Sequence, residues 1–372
     1  IWILSFFKKD LIRLKRKFMK LNYGIIGTGM MGCEHIRNLR QIPEANVLAI
    51  ADPNENSRQW GMTACGDRFK PTQFSDYKEL LKRADIDVVV VASPNFTHID
   101  VMRDVFETDK HVLLEKPMCT NLADGLEVLE KSKKHQGIVW IGLEYRFMAP
   151  IQSLINHACD VGNIKMLSIR EHRFPFLKKV DDWNRFNKNT GGTLVEKCCH
   201  FFDLMNLLVP SKPIKIYASG GQDVNHLNEN YNGKKPDIID NSFVIIDYEG
   251  GQRAMLDLCM FAEGGKYEQE IVLTGDKGKL ETNIPGSELL LTNRKEYSFK
   301  TLEVSQDSRI KEIGFHHGAS YVEHLELINC IKSGHKPLVD TQSGFNSIVL
   351  GLAAQESITT GDPIYLEEFL KK

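Results

Sequence analysis

The feature that most restricts this chain is Gly27-x-Gly29-x-x-Gly32, set between a short apolar run, Asn22–Ile26, and a helical stretch reaching about Gln41. A strand leading through a glycine turn into a helix is the phosphate-binding corner of a βαβ unit. Each glycine serves separately there: Gly27 makes the tight turn, Gly29 lets the backbone approach a pyrophosphate, and Gly32 permits close packing of helix on strand. The helix N-terminus faces the phosphate charge. Thr28, Met30 and Met31 fill the intervening positions and belong to the same expected binding surface. A second apolar run, Val47–Ala51, ends at Asp52, twenty positions after Gly32, where a carboxylate accepts hydrogen bonds from ribose hydroxyls. That charge repels a 2′-phosphate, so the expected cofactor is NAD; Ser57 and Arg58 nearby keep NADP open.

The same grammar continues. Strand-like runs at Asp87–Ala92, His111–Leu114 and Ile138–Gly142 alternate with helical stretches such as Asp76–Arg83 and Asn121–His135. Continuous apolar strands between amphipathic helices predict a parallel sheet covered on both faces. After about Leu143 the pattern changes. Ser242–Tyr248 and Gln252–Phe261 meet through Gly250-Gly251, and Ile271–Thr274 and Lys279–Thr282 meet through Gly275-Asp276-Lys277-Gly278. Tight turns between strands predict antiparallel pairing. Helical segments follow at Ala319–Ser333 and Thr341–Thr360. The expected fold is therefore α/β: an N-terminal Rossmann domain with a doubly wound parallel sheet (19–142), then an α+β domain with an open, mainly antiparallel sheet (143–372).

Composition narrows the partners. With 372 residues, 42% hydrophobic and 26% charged, the chain reads as a soluble protein of about two domains. A net charge of −2 and no long Lys/Arg cluster in the folded part argue against a nucleic-acid partner. Ile1–Phe7 is apolar and is followed by Lys8, Lys9, Arg13, Lys15, Arg16 and Lys17. Seven apolar residues are too few to span a bilayer, and apolar before basic reverses the order of a secretory signal. Residues 1–18 are expected to be a non-native or disordered extension ahead of Met19, the competing reading being a basic membrane-surface helix. Eight scattered cysteines with no CxxC pair point to reduced thiols, a cytoplasmic location and no metal.

Two further motifs specify more. Ser93-Pro94-Asn95-Phe96-Thr97-His98 follows the fourth strand, and Glu115-Lys116-Pro117 follows the fifth. Later come Tyr145-Arg146-Phe147, Gly191-Gly192-Thr193-Leu194 leading to His200, Asp240-Asn241, and the tail Ala353-Ala354-Gln355-Glu356-Ser357 before Gly361. Together with the glycine motif, these resemble the glucose–fructose oxidoreductase/inositol dehydrogenase (Gfo/Idh/MocA) family over essentially everything after Met19. The resemblance implies hydride transfer between a nicotinamide and a secondary alcohol of a sugar, sugar derivative or cyclitol. It implies that Ser93, Pro94, Asn95, His98, Glu115 and Lys116 line the cofactor, and that the second-domain sheet forms a cleft wall and often a subunit interface, giving a homodimer or homotetramer.

Oxidising a carbinol needs a base for the hydroxyl proton and a group that favours the developing alkoxide. His200 is the expected base, since imidazole titrates near neutrality. Lys116, at the C-terminal end of a parallel strand, is expected to orient and polarise the substrate oxygen. Glu196 lies four residues before His200, so one helix over Thr193–Leu207 would put both on one face. The family commonly has Asp there, and Thr193-x-x-Glu196 also reads as a capping box. Arg146, Trp183, Arg185 and His317 are candidate substrate contacts, and Asp203 a partner of His200. The vicinal Cys198-Cys199 point about 100° apart on a helix, a poor arrangement for one metal. Two other functions fit the same motifs: a glycosidase using NAD transiently, and a non-catalytic NAD-binding regulator.

Overall fold

The computed structural model describes residues 20–372, so the extension expected at 1–18 lies outside the described residues. The chain divides into two units. One comprises residues 20–118, 127–142 and 309–342; the other comprises 119–126, 143–308 and 343–372.

In the first unit, strands β1 (Leu21–Ile26), β2 (Ala45–Ala51), β3 (Thr72–Phe74), β4 (Val88–Val91), β5 (His111–Glu115) and β6 (Val139–Gly142) alternate with helices. The helices are α1 (Met30–Arg40), α2 (Glu55–Cys65), α3 (Tyr77–Leu81), α4 (His98–Val105) and α5 (Leu122–Ser132), the last crossing from one unit into the other. The strand order is β3-β2-β1-β4-β5-β6, with every neighbour parallel. Order therefore reverses between β1 and β4, the switch point at which such sheets bind ligands beyond their strand ends. All four valines of β4 are fully buried, as a strand covered on both faces requires. Asp76 caps α3 by accepting from the Lys78 N–H, and Asn54 caps α2 by accepting from the Ser57 N–H.

The second unit holds α6 (Ala149–His157), β7 (Ile164–His172) and three short helices, α7 (Asn187–Thr190), α8 (Thr193–Glu196) and α9 (Cys199–Leu208). Strands β8 (Pro213–Gly221), β9 (Asn241–Tyr248), β10 (Arg253–Cys259), β11 (Gln269–Gly275), β12 (Gly278–Ile284), β13 (Glu288–Asn293) and β14 (Ser298–Glu303) follow. Helix α10 (Ala319–Ser333) belongs to the first unit, while most of α11 (Thr341–Thr360), β15 (Ile364–Tyr365) and α12 (Leu366–Phe369) belong to the second. The nine-stranded sheet runs β14-β13-β12-β11-β7-β10-β9-β8-β15. Among the described residues only the β7–β10 pair of this sheet is parallel, so the sheet is mixed and mainly antiparallel. One face is apolar and buried through Ile169, Val244, Leu256, Ile271 and Leu280. No helix among the described residues is long and apolar enough to cross a membrane.

Candidate active site

The glycine corner has the shape its sequence calls for. Gly27 sits at φ +86°, and a Cβ there would lie 2.6 Å from the Ala92 and Ser93 backbone; the loops after β1 and β4 thus touch at the switch point. A Cβ on Gly32 would lie 2.0 Å from the Gly27 carbonyl oxygen, so helix and turn pack backbone to backbone. At Gly29, by contrast, a Cβ would meet none of the described residues within 4 Å, which leaves the backbone open to them on that side. Gly29 is the N-cap of α1, no side chain among the described residues caps the helix, and its first turn carries no acid. Those N–H groups suit an anionic phosphate.

Two buried polar atoms support the same fit. The Thr28 hydroxyl and the Asn95 side-chain amide nitrogen have no hydrogen-bond partner among the described residues. Burial without a partner is costly, and a polar ligand removes that cost. The Asp52 carboxylate accepts from the Thr28 N–H through one oxygen and from the Asn54 N–H through the other, both at 2.9 Å. Each oxygen retains a lone pair for a ribose hydroxyl. Arg58 donates from one guanidinium nitrogen to the Asp52 and Pro53 backbone carbonyls, so its charge is anchored on the main chain at the end of β2. Met30 is exposed and Met31 half-buried at the start of α1. The residues present therefore fit a dinucleotide.

Around β5 the structure brings several candidates together. His98 is fully buried, with its ring nitrogens 2.9 Å from the Pro117 carbonyl and 3.0 Å from that of Ser93. It ties the loop after β4 to the Glu115-Lys116-Pro117 turn. Burial holds its imidazole below the usual range, with the two carbonyls pulling the other way. Ser93 Oγ accepts from the Thr97 hydroxyl, and Thr97 N–H bonds the Pro94 carbonyl, closing the turn that presents Asn95. Glu115 is buried and Lys116 half-buried. His317, on the 309–342 return, is exposed with φ +53°; its neighbour His316 instead contacts Glu34 at 3.1 Å.

In the second unit, the single helix expected over Thr193–Leu207 is two segments, α8 and α9, with Lys197 and Cys198 in the turn between them. The Lys197 ammonium points inward, donating to the Tyr145 hydroxyl at 2.8 Å and pairing with buried Glu171 at 3.0 Å. The capping box does not form: Gly192 occupies the N-cap position, and Thr193 donates its hydroxyl to the Ile239 carbonyl. Glu196 is 6% exposed on α8 and His200 2% exposed on α9. Alongside His200 the structure sets Glu144, whose Oε1 lies 3.7 Å from Nε2, and Tyr145, whose ring stacks on the imidazole at 4.1 Å and 13°. A carboxylate at that distance favours positive charge on the facing ring.

Arg146 and Asp203 form a two-pronged pair, Nε to Oδ2 at 2.6 Å and Nη2 to Oδ1 at 2.5 Å. Asp203 thus holds Arg146 through both carboxylate oxygens, and the Arg146 side chain is only 13% exposed. Trp183 lies half-buried in an irregular turn with Asp181 and Asp182 at positive φ, its carbonyl accepting from Asn189. Arg185 is buried against Glu229 at 2.8 Å. Burial pushes the Cys198 thiol well above its usual range, which leaves it a packing group rather than a nucleophile.

Comparison with known proteins decides the family. The profile described as the oxidoreductase family, NAD-binding Rossmann fold, matches residues 21–143. Its companion, the oxidoreductase family, C-terminal alpha/beta domain, matches residues 158–366. The chain belongs to the Gfo/Idh/MocA family. Myo-inositol 2-dehydrogenase of Thermotoga maritima is 28% identical over 360 residues, covering 94% of this chain and all of that protein. The scyllo-inositol 2-dehydrogenase (NAD(+)) of Bacillus subtilis is 22% identical, covering 92% and 95%. The solved complex of levoglucosan dehydrogenase with NADH and levoglucosan has a TM-score of 0.80 at 18% identity, covering 94% of this chain and 100% of that one; this likeness is one of fold.

As a Gfo/Idh/MocA protein, the chain is an NAD(P)-dependent oxidoreductase whose first unit is the NAD-binding Rossmann fold. Sequence reasoning passed over several residues now seen around the family's motifs: Glu144 beside His200, Lys197 on Tyr145, and His35 and His324 behind Glu115. Only Glu144 had an available signal, as an acid directly before Tyr145-Arg146-Phe147. The others meet across 52 to 289 positions of sequence.

Proposed function

We propose that the chain transfers hydride between NAD and a secondary alcohol of a cyclitol or sugar, inositol-like in the first instance, with His200 as acid/base and Lys116 orienting and polarising the reacting oxygen. The observation that carries this reading is the setting of His200, a buried imidazole with a carboxylate beside it and an aromatic ring against its face. Inositol dehydrogenases among the relatives, matched over nearly the whole chain, support the substrate class.

In the oxidative direction the secondary alcohol and NAD+ give the ketone, NADH and a proton. Nicotinamide, when bound, supplies the hydride acceptor. Asp52, the Gly27–Gly32 turn and the 93–98 loop hold the dinucleotide, with NAD preferred over NADP. His200 takes the hydroxyl proton, and Glu144 stabilises the resulting imidazolium. The Lys116 ammonium favours the alkoxide and, in reverse, polarises the carbonyl. Glu196 supplies a second carboxylate near the imidazole, while Arg146, Trp183 and His317 contribute to substrate binding.

The test is kinetic. Lys116→Ala and His200→Ala, assayed with NAD+ and myo-inositol, are expected to lose turnover by at least about a hundredfold while NAD+ binding stays within about twofold. Turnover retained in either variant removes that residue's role.

We also infer a homo-oligomer. The outward face of the nine-stranded sheet exposes Tyr217, Phe243, Ile245, Met255 and Met166, with Ile245 directly opposite both Tyr217 and Met255. A contiguous apolar patch of this kind marks an interface. Light scattering is expected to give a dimer or tetramer, and Phe243→Glu to shift it toward monomer.

A further inference from the structure

The first unit contains a chain of buried titratable side chains that the proposed chemistry leaves unused. Glu115 Oε1 hydrogen-bonds His35 Nε2 at 2.7 Å, and His35 Nδ1 meets His324 Nε2 at 2.9 Å. Both histidines are fully buried, and Glu115 is 4% exposed. The other Glu115 oxygen accepts the backbone N–H of Lys116 at 3.2 Å. One carboxylate thus grips the peptide that launches Lys116 and is itself gripped from behind.

The three anchors come from different elements. Glu115 ends β5, His324 lies on α10, and His35 lies on α1, three residues past Gly32. The helix whose N-terminus forms the phosphate corner therefore also carries the group that holds Glu115.

The surroundings suit this arrangement. The Tyr23 ring meets His324 edge-on at 6.0 Å. Glu34, the residue before His35, is occupied by His316 and by the Phe315 N–H. Burial alone would raise the Glu115 carboxyl; His35, Lys116 and His316 outweigh it and hold it below the usual range, so it remains an acceptor. Burial, with His35 alongside, holds His324 well below the usual imidazole range. A neutral His324 donating to His35, which donates to Glu115, satisfies each contact with one proton per ring.

We propose that His35, braced by His324, is a positioning residue for the reaction: through Glu115 it fixes the direction of the Lys116 side chain relative to the dinucleotide corner. This rests on the role given to Lys116 above. Misplacing a catalytic group by about an ångström costs up to roughly a hundredfold in rate, so loss of the brace registers in turnover rather than in binding.

The test compares His35→Leu, His35→Gln, His324→Leu and Lys116→Ala in the full chain, with NAD+ and myo-inositol as probes. Three quantities are read: kcat and KM for myo-inositol, Kd for NAD+ by calorimetry, and the rate at which limiting acetic anhydride labels Lys116 relative to exposed Lys70. His35→Leu is expected to lower kcat about tenfold, with KM and Kd within about twofold, and to change relative Lys116 labelling at least about threefold. His35→Gln keeps a donor for Glu115 and restores most of both. His324→Leu moves labelling the same way by a smaller factor. Should His35→Leu fail to fold, His35→Asn, whose amide is too short to reach Glu115, takes its place under the same criteria.

Wild-type kcat and labelling in a folded His35→Leu or His35→Asn protein, with Lys116→Ala inactive, overturns the brace and leaves the lysine's role standing. Turnover in Lys116→Ala removes the lysine's role, and labelling alone then judges the brace. Labelling also decides if myo-inositol is not turned over.

Discussion

Glu144 Oε1 lies 3.7 Å from His200 Nε2, with the two side chains 1% and 2% exposed. This separation is too long for a hydrogen bond, yet it is close for charges out of water. In the proposed mechanism the carboxylate acts when the imidazole gains a proton. Glu144→Gln preserves shape and removes charge, and is expected to lower kcat about tenfold, equivalent to roughly 1.4 kcal/mol, with NAD+ affinity unchanged. Steady-state kinetics check this; an unaltered kcat would show that the contact is only packing.

The Arg146–Asp203 pair predicts a stability effect of a particular form. Asp203 is fully surrounded, so Arg146→Ala takes a two-pronged partner away from a buried carboxylate, and Asp203→Ala takes one from a guanidinium. Each single variant is expected to cost about 3–5 kcal/mol. The double variant should cost clearly less than the two together. Urea denaturation of the four proteins measures this; strict additivity would mean that the pair is not coupled.

Glu229 predicts an acid limb. Burial alone would raise its carboxyl, but His226, Tyr231 and Arg185 outweigh that and hold it at about 2. An unfolded Glu titrates near about 4.3, so in falling acid the unfolded chain takes up a proton that the folded chain refuses. The contribution is full above about pH 4.3 and fades toward about pH 2. The stability difference between wild type and Glu229→Gln is expected to shrink as urea titrations move from about pH 5 to about pH 3. A difference constant across that range contradicts the assignment.

On the proposed reading, Asp52 governs cofactor choice. Asp52→Asn retains an acceptor for a backbone N–H and removes the charge, while Arg58 keeps its hold on the residue 52 backbone carbonyl. The ratio of NADP+ to NAD+ affinity is expected to rise about tenfold, read by calorimetry. No change in the ratio would place the adenosine ribose elsewhere.

Where the sequence was legible, local physics set the structure. The glycine corner, the buried valines of β4 and helices at Ala319–Ser333 and Thr341–Thr360 follow from spacing and periodicity alone. Strands β7, β8, β13 and β14 lacked such a signal. β8 opens on Pro213 and closes on two glycines, and β14 is a polar edge strand, exposed along most of its length. The break between α8 and α9 was hidden for another reason: Lys197 looks like a surface residue until Glu171 and Tyr145 are found to receive it. Lys116 and His200 are visible as single residues with recognisable flanks. Their supports are not, because Glu144, His35 and His324 acquire meaning only through contacts the fold creates.

The most direct test of the central claim is NADH formation by the purified protein supplied with NAD+ and a panel of inositols, aldoses and sugar acids. NADH accumulating in step with keto product from at least one cyclitol or sugar is the predicted result. Bound NAD+ with no net NADH from any member of the panel would contradict it.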